Sequence, residues 1–196
     1  MWIAIAVFSR FWFLLEWEGQ DLSPGLLKSG VRFLETGVYV PCRQPAAFVY
    51  EVSIALVSKL FLPLSNHFGF PYFYVTNLFS VFLTGLGLFA LERVYRKFLS
   101  ERSALIATLA YNFYPHIFVL GGATTDVAMM MGLMPFVALL ICREQFFSAT
   151  ALAALCVGVR IQSISFFVPV ALVYIFNEIK SKSDLLTKRV LIFKNA

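Results

Sequence analysis

Charge is scarce in this chain. Of its 196 residues 14% are Asp, Glu, Lys or Arg, and only 11 are acidic, about half the charged share of an ordinary soluble domain. That scarcity excludes a water-facing globular surface. Cysteine is equally sparse: Cys42, Cys142 and Cys156 are odd in number, far apart and without a CxxC pair, which excludes a disulfide framework and a zinc site. His67 and His116, the two histidines, stand apart beside aromatic residues and read as packing residues, so no metal site is expected. No Gly-rich phosphate loop appears, and no internal repeat, low-complexity tract or long linker. A nucleotide donor or cofactor has no sequence to hold it.

What is present is apolar. Hydrophobic residues make up 60% of the chain and aromatics 17%, with a mean hydropathy of +0.79. This composition predicts an integral membrane protein, all-α, of roughly six to seven spans at ~20 residues each. The formal net charge of +5 does not point to nucleic acid, because the basic residues fall mainly at the ends of apolar runs, where cytoplasmic Lys and Arg orient helices. The first run, 1–17, contains Arg10 and is followed by no small-residue cleavage site, so it reads as a retained signal anchor.

Spans are expected at 1–15, 71–91, 104–120 and 127–142, with a split region at 146–159 and 162–179. The stretch 46–64 places Glu51, Ser58 and Lys59 near one helical face at i, i+7 and i+8, and reads as an amphipathic helix on the membrane surface. Pro24 after Asp21 and Ser23 predicts a second surface helix over Pro24–Thr36, ended by Gly37. The loop 92–103 carries Arg93, Arg96, Lys97 and Arg102 and is placed in the cytoplasm. With 46–64 not spanning, Arg143 and the basic tail also fall inside, so ten of sixteen basic residues are cytoplasmic. The predicted architecture is a multi-pass membrane helix bundle with amphipathic juxtamembrane helices in the first external loop.

The external face then collects Asp21, Arg43, Asp126 and Arg160. A carboxylate there can act as a general base on a hydroxyl, and Asp21 is the best placed, although a helix-capping role also fits it. Asp126 opens a span, either as a helix cap at the positive dipole end or as an acidic wall of a pocket. Arg160, with Gln162 beside it, lies between two apolar stretches. Such a charge snorkels to the surface or lines a cavity, and its guanidinium suits a phosphate. Arg43 invites the same reading. Glu16 and Glu18 flank Trp17 as interfacial residues.

Asp21, then Gly37-Val38-Tyr39-Val40-Pro41-Cys42-Arg43-Gln44-Pro45, then an amphipathic segment, resembles the GT-C superfamily of polyprenyl-phosphate-sugar glycosyltransferases, in particular its protein mannosyltransferase and aminoarabinose transferase group. The resemblance continues in order through Arg93, Arg96 and Lys97 at a span end, Pro115, Thr125-Asp126, and Gly158-Val159-Arg160-Ile161-Gln162-Ser163. The sequence departs from that pattern at Gln44-Pro45-Ala46-Ala47, where relatives carry a Pro-Gly or Pro-Pro turn. The resemblance implies that Asp21 is the catalytic base, with Asp126 as a second acidic catalytic residue. Arg160, Arg43 and Gln162 would bind the phosphate of a polyprenyl-linked sugar donor. The acceptor would be a glycan, lipid or protein, and no cofactor would be needed. Such enzymes run on for several further spans, so residues 1–196 are expected to form a single module, the N-terminal part of a longer enzyme in the plasma membrane with its active face outside. The competing class is a noncatalytic membrane subunit or small transporter whose charges form a polar path.

Overall fold

The computed structural model describes residues 4, 8–10, 24–42, 47–69, 72–165, 167–169 and 172. Among these the protein is all-α, with no strand. Seven helices follow in order: α1 (Pro24–Thr36), α2 (Phe48–Phe68), α3 (Tyr72–Tyr95), α4 (Glu101–Phe113), α5 (Pro115–Leu120), α6 (Asp126–Ile141) and α7 (Phe146–Val159). A 3-10 turn, Ile161–Ser163, comes next. The chain divides into two compact units, 1–161 and 162–196. All seven helices belong to the first, and the described residues of the second are mostly helical.

Local chemistry sets the boundaries. Pro24 opens α1, where a missing N–H costs nothing. Gly37, at φ +71, closes it with its N–H on Phe33 O at 2.9 Å, the left-handed cap that glycine adopts without a Cβ penalty. Ser100 caps α4 by accepting from Ser103 N–H, and Thr125 caps α6 by accepting from Ala128 N–H; such a cap is worth about 1 kcal/mol. The apolar run expected as one span at 104–120 is two helices. Tyr114, at ψ 122, is held extended by the proline that follows it, and Pro115 then starts α5.

Helix direction follows from cross-contacts. The start of α6 is bonded to the start of α3 through Thr124 and Asn77, and Lys97 beyond α3 donates to the carbonyl of Cys142 beyond α6. The two helices therefore run parallel, and they make the most extensive packing in the unit. Their backbones nearly touch. A Cβ on Gly87 would sit 2.2 Å from Met131 O, and one on Gly132 would sit 2.9 Å from Leu83 O. α7 runs back from the Cys142 end, and its Gly158 lies against Val49 at the start of α2. One end of the unit thus holds the basic turn, where Arg96 bridges Glu92 at 2.6 Å and Glu101 at 2.9 Å. The opposite end holds Asp126 and Arg160.

Beside an apolar core that includes Val81, Leu88 and Ala90 of α3, part of the burial is inverted relative to a water-soluble domain. On α3, Thr76, Asn77, Ser80 and Thr84 are buried while Phe82 and Phe89 are 61% and 46% exposed. On α4, Thr108 and Asn112 turn inward and Ile106 outward, and Phe147 on α7 is 90% exposed. Among the described residues one helix, Tyr74–Tyr95, is long and apolar enough to cross a membrane.

Residues Glu51 and Ser58 of α2 do not form the water-facing stripe expected of them. Glu51 is 1% exposed and the Ser58 hydroxyl is buried, whereas Leu56 and Leu60 of the same helix face outward. The reason is α1, which crosses α2 so closely that a Cβ on Gly30 would sit 2.3 Å from Glu51 O. Lys59, expected on the same face, is exposed, so the polar stripe is split, and in a chain this apolar periodicity does not say which face is covered.

Candidate functional site

The site is assembled around the turn 121–125, between α5 and α6. Thr84 donates to Gly121 O at 3.1 Å. The N–H of Thr124 donates to Asn77 Oδ1 at 2.7 Å, and the Thr124 hydroxyl lies 2.7 Å from both Asn77 Oδ1 and Thr76 Oγ1. The Thr125 hydroxyl donates to Leu120 O at 3.2 Å while its oxygen caps α6. Every one of these groups is buried or nearly so, so an unmatched bond here would cost about 1–3 kcal/mol. The turn is pinned to α3 by its own hydroxyls, and the first residue of α6 is fixed with it.

That residue is Asp126, 7% exposed. The cap is Thr125, so the capping role considered for Asp126 falls to its neighbour, and the Asp126 carboxylate is left at the first turn of α6. There the helix dipole favours it by about 0.3–1 kcal/mol. Arg160 NH1 lies 3.6 Å from Asp126 Oδ1, with the arginine side chain 41% exposed. This is an ion pair open to the surface on its cationic side, worth less than about 1 kcal/mol after screening. Arg160 is delivered by the end of α7: its backbone turns extended at φ −152, ψ 113, while its N–H still donates to Cys156 O at 2.9 Å.

Of the site residues expected from sequence, Asp126 and Arg160 come together. Gln162 falls in the second unit, exposed, with its carbonyl accepting from Ser165 Oγ at 2.6 Å. Asp21 and Arg43 lie outside the described residues. Among the described residues no group of three His, Cys, Asp or Glu side chains could hold a metal ion.

Two polar groupings were missed. Between α1 and α2, Tyr39 stands edge-on to Phe33 and Phe48, with its hydroxyl near Glu51. Burial first, then the Glu51 charge, pushes that hydroxyl up to about 12, so Tyr39 remains a neutral donor across the physiological range. The second grouping is Arg10 with Asn112, 102 positions apart, joined by a 2.6 Å hydrogen bond from the guanidinium NH2 to the amide oxygen. An arginine inside an apolar run was the available signal for Arg10; nothing in the sequence pointed from it to Asn112.

No protein-family model, curated protein or solved structure matches this chain.

Proposed function

We propose that the chain is the membrane module of a GT-C-type glycosyltransferase that moves a sugar from a polyprenyl-phosphate donor to an acceptor at the external membrane face. The observation that carries this reading is the Asp126–Arg160 contact, at the end of the unit opposite the basic turn. Support also comes from the inverted burial, which suits a multi-pass bundle in lipid. In this reading Asp21 takes the proton of the acceptor hydroxyl. Arg160, with Arg43, meets the phosphate as its negative charge grows in the transition state. Asp126 holds Arg160 in place and walls the acceptor side. Membranes containing the chain, as part of the full reading frame, should transfer labelled sugar from a short prenyl-phosphate sugar to an endogenous acceptor. Absence of transfer over the background of membranes lacking the chain would remove the reading.

The external placement of residues 17–70 has its own test. Lys28 and His67 are exposed near the two ends of the α1–α2 pair. In a background without native cysteines, Lys28→Cys and His67→Cys should both react with an impermeant thiol reagent added outside. Reaction of the first alone would make α2 a span and reverse every later loop.

A further inference from the structure

Arg10 is 1% exposed. Its NH2 donates to Asn112 Oδ1 at 2.6 Å, with Asn112 O at 3.4 Å. The remaining nitrogens, Nε and NH1, are buried and have no acceptor, and the same is true of Asn112 Nδ2. What is left over is entirely donor: one N–H on Nε, two on NH1 and two on Nδ2. Among the described residues no carboxylate pairs with this guanidinium. Its surroundings are shaped to it. The Phe118 ring centroid lies 5.4 Å from Cζ, and a Cβ on Gly121 would fall 1.8 Å from NH1, so only glycine leaves room for the guanidinium. A guanidinium does not shed its proton. A buried cluster of donors with one fixed positive charge is suited to an anion that accepts several hydrogen bonds.

We propose that Arg10 and Asn112 bind a phosphate oxyanion. A tetrahedral oxyanion presents several acceptor oxygens to donors arriving from two side chains, and charge-assisted bonds of this kind are among the strongest available. The assignment of that phosphate to a lipid-linked donor rests on the function proposed above; the site itself does not. Gly121 begins the turn that ends at Asp126, which places Arg10 at the same end of the unit as Asp126 and Arg160. Arg160 faces Asp126, whereas among the described residues no carboxylate faces Arg10.

The test titrates the purified full chain, in lipid nanodiscs, with inorganic phosphate and separately with farnesyl phosphate, reading thermal stability and phosphorus resonance line width. Wild-type protein should show saturable stabilisation. Arg10→Gln and Asn112→Ala should weaken the apparent affinity about tenfold or more, the scale of one charge-assisted bond, and Arg143→Gln at the opposite end should not. Asn112→Asp supplies a carboxylate in place, so it should raise the stability of the ligand-free protein and abolish the phosphate response. If Arg10→Gln does not fold, Asn112→Asp alone decides. No response in wild type, or an undiminished response in Asn112→Asp, overturns the site. Saturation at tenfold lower farnesyl phosphate than inorganic phosphate assigns it to a lipid phosphate, and equal saturation assigns it to the free ion. A phosphate response without any sugar transfer would sink the transferase reading and keep the site, whereas normal transfer by Arg10→Gln with unchanged donor affinity would do the reverse.

Discussion

If the chain is the proposed transferase, Asp21→Asn should lower sugar-transfer turnover by about 10²-fold or more, the usual scale for loss of a general base. The substitution keeps the size and hydrogen-bonding reach of the side chain and removes its basicity, so expression, insertion and the start of α1 at Pro24 are expected to stay as they are. Initial rates with a labelled prenyl-phosphate sugar, normalised to the amount of inserted protein, measure the effect. A rate within a fewfold of wild type would return Asp21 to capping the loop before α1 and would leave the proposed reaction without its base.

The largest effect on stability is expected from Gly87→Ala. The added Cβ would meet Met131 O at 2.2 Å and Gly132 Cα at 2.9 Å, backbone atoms that no side-chain rotation can move aside. α3 and α6 must then separate along the most extensive helix contact in the unit. Overpacking of this kind costs typically about 1–3 kcal/mol, and for a chain of this size each kcal/mol lowers the unfolding midpoint by roughly 2–4 °C. Gly122→Ala is the matched control, since its added Cβ would find its nearest neighbour at 3.7 Å. Thermal unfolding in detergent should drop by roughly 2–12 °C for Gly87→Ala, on these same scales, and scarcely at all for Gly122→Ala. Equal behaviour of the two would mean that the Gly87–Gly132 crossing is not tightly closed.

Much of the helical framework could be read from residue chemistry. Pro24 and Gly37 bracket α1 where their backbone preferences place them, and Phe146–Val159 is a helix over the run that hydrophobicity marked. Thr125-Asp126 was recognised as a helix start, with the roles of the two residues exchanged. The break at Tyr114 was hidden because hydrophobicity continues through Pro115, and only the steric demand of the proline on its predecessor ends the helix. The inward turn of Glu51 was hidden for another reason: the face of α2 that is covered depends on α1 lying across it at Gly30, a tertiary fact. The Asp126–Arg160 meeting was half legible. Each residue was picked out for its charge at a span end, but their approach to 3.6 Å depends on α7 returning to the end where α6 begins. Arg10 and Asn112 illustrate the limit, since neither local period nor spacing links positions in separate apolar runs.

The hydroxyl and amide stripe on α3 has a consequence for synthesis. Asn77 waits for Thr124, its partner 47 residues later, and at ribosomal speeds of ~5–20 residues per second that wait lasts roughly 2–10 s. For a helix entering a bilayer, Thr76, Asn77, Ser80 and Thr84 would face hydrocarbon for all of that time, long compared with lateral diffusion away from the insertion machinery. If α3 spans a bilayer as proposed, that stripe favours its retention beside a polar surface until the turn 121–125 emerges and takes over its hydrogen bonds. On that reading, release of α3 into lipid would be timed by the arrival of α6.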